Sequence, residues 1–104
     1  MSTSTNNYDS LEQLIYTENI RIQAIDIHLD QDLLIILLNT GGILRETISQ
    51  YPRLKRASEQ QLKNYRLIGK GAGVHWPDVD EDLSLKGFLS NGIKNLIYNQ
   101  HKVA

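Results

Sequence analysis

The chain has 104 residues, 40% of them hydrophobic and 22% charged, with a formal net charge of -1. That is room for one domain and too little for two, and the charge balance gives no overall field to draw in nucleic acid or an anionic membrane. The absence of cysteine excludes disulfides, thiolate chemistry and thiolate-bound zinc, in keeping with a reducing, cytoplasmic setting.

Residues Met1 to Tyr8 are mostly Ser, Thr and Asn and read as a tail, with neither the basic start nor the apolar core of a secretion signal. Ser10-Leu-Glu-Gln13 has the spacing of a capping box, and Leu11, Leu14 and Ile15 follow at helical intervals, which predicts a short amphipathic helix over about Leu11 to Thr17. From Ile20 the period changes to two. The apolar phase slips at Ala24-Ile25, so a bulge or a strand start is expected there. Asp30-Gln-Asp32 reads as a turn. Leu33 to Leu38 is apolar at every position, which predicts a strand covered on both faces, by the domain's own layers or by a second copy of the chain. That run is far too short to cross a bilayer, so no membrane is expected among the partners.

Asn39-Thr-Gly-Gly42 supplies a tight turn, and Ile43 to Ile48 can return as a third strand. Ser58-Glu-Gln-Gln61 is a second capping box, predicting a helix from about Glu59 to Asn64. Tyr65 to Trp76 has strand character broken by glycines, and Pro77 ends it. The acidic run Asp78 to Asp82 reads as the start of a helix carrying Leu85, Phe88 and Leu89, closed by Gly92. Ile93, Leu96 and Ile97 repeat the helical spacing, as an extension or a further turn.

Motifs that bear on chemistry are sparse. Gly69-Lys-Gly-Ala-Gly73 lacks the Gly-Lys-Ser/Thr sequence and the following helix of a phosphate loop, and reads as a strand kept bare for the close approach of a backbone or a ring. His28, His75 and His101 share no metal-ligand spacing, and the acids after His75 lack the calcium-loop pattern, so neither metal nor cofactor is expected. Ser49, Ser58, Ser84 and Ser90 sit in no nucleophile elbow, and no nucleophile, base and oxyanion donors occur together, so the reading is non-enzymatic. Charge is unevenly placed. Met1 to Asp32 carries six acids and one base, whereas Arg53 to Lys70 carries Arg53, Lys55, Arg56, Lys63, Arg66 and Lys70 against Glu59 alone. Such a basic strip could contact phosphates, or could be the wet face of a short helix and its flanks.

Three segments carry a resemblance: Tyr51-Pro-Arg-Leu-Lys-Arg-Ala57, Asn64-Tyr65, and the run Ile68 to Leu89 containing His75-Trp-Pro-Asp-Val-Asp-Glu-Asp82. In that order they resemble the bacterial domain-of-unknown-function-2442 family over about Ile25 to Leu89. Here Glu46 stands where the family has an apolar strand residue, Thr47 replaces a proline, Gln50 an aromatic and Tyr65 a tryptophan. The third strand is therefore expected to be poorer, or Glu46 to face solvent or a partner. The resemblance implies a small α+β domain, described in some relatives as a candidate antitoxin beside a toxin-like protein, and it assigns no catalytic residue. Gly71, Gly73, His75, Trp76, Pro77, Asp80 and Asp82 form its signature, which reads as a fold-specifying corner: a tryptophan in the core with its N–H on an acceptor, a proline stop and a helix start.

The expected architecture is α+β, a small antiparallel sheet of three to four strands with two to four short helices. Residues 1–19 form a tail and short helix, 20–92 the single domain, and 93–104 a C-terminal helical turn or tail. The expected function is macromolecule binding, as an antitoxin-like or accessory protein-interaction module. Contacts would come from Leu11, Leu14, Ile15, Ile93, Leu96 and Ile97, whose apolar stripes lie outside the domain and either find a partner or dock on the domain itself. A homo-oligomer is a further option. The alternative is a nucleic-acid-associated regulator using the basic strip.

Overall fold

The structure, a computed structural model, describes residues 9–103, with side chains as far as Tyr98. The tail reading of residues 1–8 and the side chain of His101 lie outside the described residues. The α+β class is observed, with six strands divided between two three-stranded antiparallel sheets and four α-helices among the described residues. No helix among the described residues is long and apolar enough to cross a membrane.

Helix α1 spans Ser10–Thr17. Its cap is one residue earlier than the Ser10 box suggests: Asp9 Oδ1 accepts the Glu12 N–H at 2.7 Å. An acidic cap also sits favourably against the positive end of the helix. The first sheet has the order β1 (Ile22–His28), β2 (Leu33–Leu38), β3 (Ile43–Thr47). The expected bulge is present but slightly earlier, between Ile22 and Ala24, and it lets Ile22, Ile25 and Ile27 all point inward. The β2–β3 turn places Gly41 at φ +95°.

β2 departs from its reading. Leu34, Ile36 and Leu38 are buried, whereas Leu33, Ile35 and Leu37 are partly buried and stand outside the core. The run is continuous in hydrophobicity, yet among the described residues only its inner side joins the core cluster.

After β3 the chain forms α2 (Pro52–Lys55) and α3 (Glu59–Lys63). Ser58 and Gln61 make the capping box reciprocally, at 3.1 and 2.9 Å. The second sheet comes next, in the order β4 (Arg66–Ile68), β5 (Gly73–Trp76), β6 (Glu81–Ser84). Here the acidic run takes a different role from the expected helix start. Asp78 and Asp80 lie in the β5–β6 turn, with Asp80 at φ +53°, while Glu81 and Asp82 belong to β6. Helix α4 begins only at Leu85, where Ser84 Oγ accepts the Gly87 N–H at 3.0 Å.

α4 then runs to Val103, so Gly92 does not close it and residues from 93 onward are not a separate turn. A mid-helix glycine costs about 1 kcal/mol against alanine. Its compensation is contact, since a Cβ at Gly92 would come within 3.3 Å of Leu44 on β3. The core lies between the sheets and the helices: Leu34 and Ile36 from the first sheet, Val74 and Trp76 from the second, and Leu54, Leu62, Leu85 and Phe88 from the helices.

Candidate functional site

The tryptophan corner is architecture. Trp76 is fully buried and its Nε1 donates to the Leu62 carbonyl at 2.8 Å, so its one polar atom is satisfied inside the core. Gly71, at φ +96°, lies where the two sheets meet: its carbonyl accepts the Ile22 N–H at 2.7 Å, and a Cβ there would sit 2.5 Å from the Ile22 oxygen. Gly73 is similarly close to the Leu83 carbonyl, at 3.1 Å from an added Cβ. The one glycine-broken strand expected over Tyr65 to Trp76 is two strands: residues 69–72 form the β4–β5 turn, and only Gly73 of the three glycines lies in a strand. His75 pairs with Asp82 directly across β5–β6, and its Nδ1 is bonded to the Asp82 carboxylate. Pro77 comes immediately after β5. Asp78 accepts from Asn64 Nδ2 at 3.0 Å, and the Asp80 carbonyl accepts from Arg53. Among the described residues no three His, Asp or Glu side chains gather as a metal site.

A second polar cluster escapes sequence reasoning. Glu46 does not face solvent; it is 2% exposed, on the same inward side of β3 as Leu44. β3 is not a poor strand either, pairing with β2 from Ile43 through Thr47. Glu46 Oε1 accepts from Gln50 Nε2 at 2.6 Å, from the Tyr51 hydroxyl, and from Asn91 Nδ2 at 3.2 Å. Two departures from the family pattern, Glu46 and Gln50, thus bond to each other. The Glu46 Oε2 atom is buried with no hydrogen-bond partner among the described residues. Burial, and then the neighbouring Glu46 carboxylate, push the Tyr51 hydroxyl well above the usual phenol range. Tyr51 is therefore a neutral donor near pH 7 and not a base. A shallow hollow of ≈ 280 Å³ touches Tyr51, Asn91, Asp82 and Ser84, with Glu46 sealed behind them. The signal available in the sequence was the joint change at positions 46 and 50, but the third partner, Asn91, lies 45 residues away.

The residues expected to contact a partner separate into two groups. On α1, Ile15 packs against the core and Leu11 is half-buried, leaving Leu14 49% exposed. α1 is held to α4 by Lys86, whose Nζ lies 2.7 Å from Asp9 and 3.6 Å from Glu12. Its stripe thus docks largely on its own domain. On α4, Ile93, Leu96 and Ile97 are 51%, 66% and 51% exposed. At 100° per residue, Leu96 falls on the same arc, about 100° wide, as the inward-facing Leu85, Phe88, Leu89 and Gly92, and Ile93 and Ile97 lie to one side of it, about 40° and 80° past Leu89. The helix continues its apolar stripe past the point where the body covers it.

All six bases of the strip are exposed. Arg53 is engaged with Asp80 and Lys63 with Glu59, at 3.0 Å, an i,i+4 pair. The six are dispersed over α2, α3, β4 and the β4–β5 turn.

Residues 24–94 match the family described as "Protein of unknown function (DUF2442)". Two solved structures are similar. One is a protein of unknown function from Rhodospirillum rubrum ATCC 11170, 28% identical over 69% of this chain and 87% of that one, with a TM-score of 0.62. The other is an uncharacterized protein from Chromobacterium violaceum, 19% identical over 85% of this chain and 78% of that one, with a TM-score of 0.64; at that identity it shows the fold alone. No curated protein matches the chain.

Proposed function

The chain belongs to the DUF2442 family, and we propose that it is a non-enzymatic protein-interaction module that presents the C-terminal half of α4 to a protein partner. The observation that carries this reading is the uncovered stripe of Ile93, Leu96 and Ile97, each more than half exposed on a helix whose upstream apolar residues Leu85 and Phe88 are buried. An amphipathic helix of this kind suits insertion into an apolar groove, read as i, i+3, i+4 anchors. Leu14, 49% exposed on the docked α1, is a further exposed apolar side chain. In an antitoxin-like or accessory role in the cytoplasm, the partner is a toxin-like protein.

Binding is favoured over catalysis because the buried acid, Glu46, is sealed from solvent and cannot reach a substrate, while Tyr51 stays protonated at neutral pH. The basic strip is the weaker alternative, since two of its six members already have local acceptors and no base-reading motif accompanies it.

The test compares tagged wild-type chain with Leu96→Asp and Ile97→Asp, recovered from the cells that make it. A co-purifying protein that is retained by the wild type and lost from both variants supports the reading. Unchanged recovery with both variants folded would refute it. Binding to nucleic acid that declines steeply with salt and disappears on reversing Lys55 and Arg56 would move the assignment to the basic strip.

A further inference from the structure

We propose that the outer face of the β1–β2–β3 sheet is a self-association surface, on which two copies of this chain meet about a twofold axis parallel to β2. This goes beyond the α4 reading and does not rest on it. Leu33, Ile35 and Leu37 form a stripe down the central strand, partly buried but outside the core, and Ile43 beside Leu37 is 60% exposed. Apolar side chains on the central strand of a sheet are what a second sheet packs against, at a separation of about 10 Å.

The charges choose the occupant. Ile35 is paired with Asp26 on one side and with Arg45 on the other, so one row across the face reads acid, apolar, base. Directly opposed residues of an antiparallel sheet point to the same side. A twofold axis along β2, lying between two such faces, sets β1 of one copy opposite β3 of the other. Asp26 then meets the second copy's Arg45, Ile35 meets its equivalent, and the same pair forms again on the far side. A twofold axis perpendicular to the strands would instead set Asp26 against Asp26 and Arg45 against Arg45, which is repulsive. The face is therefore complementary to itself in one orientation and not in the other, as an isologous contact requires. Asp26 also bonds His28, two residues along on the same face, at 2.9 Å. The face measures roughly 15 by 20 Å, below the about 800 Å² per partner of a standard stable complex, so the dimer is a weak one.

Sedimentation equilibrium of the full chain, taken up to about 1 mM because weak interfaces need high concentration, is the experiment. The mass should approach that of a dimer, Ile35→Lys should give a monomer, and Asp26→Arg or Arg45→Asp should each weaken association by about tenfold. Combining the two reversals should restore it, a result that loss of folding cannot mimic. Circular dichroism confirms that each variant is folded. A wild type that stays monomeric would overturn the proposal. So would an association indifferent to Ile35→Lys but abolished by Ile97→Asp, which would place the contact on α4. A monomer that dimerises only after removal of residues 1–8 would assign the face to the chain's own N-terminus and equally overturn it.

Discussion

The two halves of α4 carry one apolar pattern and meet different fates. Leu85 and Phe88, both 1% exposed, close the core beneath Trp76, whereas Leu96, on the same arc and two turns further on, is 66% exposed. Periodicity states which side of a helix is apolar; it does not state what covers that side. The difference comes from the length of the body. At Gly92 an added Cβ would lie 3.3 Å from Leu44 on β3, whereas past it Ile93, Leu96 and Ile97 are each more than half exposed. Sequence continuity across Gly92 therefore hides a change from structure-forming to surface residues.

The sharpest way to break this contrast is to truncate one anchor from each half. Phe88→Ala should cost about 3–5 kcal/mol, as expected for a fully enclosed aromatic, and Leu96→Ala less than about 0.5 kcal/mol. Urea denaturation of the two variants, followed by the fluorescence of the single tryptophan, measures both. Similar losses for the two would mean that Leu96 is covered in the folded chain, and the proposed contact surface would fail with it.

A second comparison within the body separates backbone conformation from crowding. Gly41 and Gly71 have nearly the same backbone angle, φ +95° and +96°, but an added Cβ at Gly41 meets nothing within 4 Å while at Gly71 it lies 2.5 Å from the Ile22 oxygen. Gly41→Ala should therefore cost only the left-handed conformation, about 1 kcal/mol, and Gly71→Ala about 2 kcal/mol or more because the two sheets must part. Equal effects in thermal or urea unfolding would show that the sheet junction at Gly71 is looser than its 2.7 Å hydrogen bond to Ile22 implies.

Legibility in the sequence divides along the same line. The corner at Trp76 was legible because glycine, proline and tryptophan act through their own backbone and volume within a few residues. The Ser58–Gln61 capping box was legible for the same reason, its partners being three apart. Glu46 was not, because its burial depends on Gln50, Tyr51 and Asn91, and the last of these reaches it only once α4 lies against β3. Polarity alone placed it outside. Asp78 to Asp82 misled in another way. Acids suit a helix start, but they also suit a turn and an edge strand, and here Asp82 satisfies His75 across β5–β6, a pairing set by strand register. The outer side of β2 is the converse case: a continuous apolar run promised cover on both faces, and among the described residues only the inner face joins the core.

The smallest effect is expected at α1, and its sign depends on one ion pair. The Lys86 ammonium, first, and then the Glu12 N–H hold the Asp9 carboxyl below the usual carboxylate range, while Asp9 holds Lys86 above its ordinary value. A depressed acid stabilises the docked state above its unfolded value, near 3.9, and that contribution is lost as pH falls through the lower folded value. The raised lysine contributes fully below its unfolded value, near 10.4, and loses its contribution as pH rises through the higher folded one. Docking of α1 is thus level across neutral pH and weakens at both extremes, modestly, since both groups are solvent-exposed. Amide exchange should show α1 losing protection below about pH 4 while β5 and the first turns of α4 keep theirs, and Lys86→Met should reduce that acid dependence to the part the Glu12 N–H supplies. Loss of protection in α1 and around Trp76 together would mean that the helix is as integral to the fold as the tryptophan corner. α1 would then belong with the buried half of α4 and not with its uncovered end.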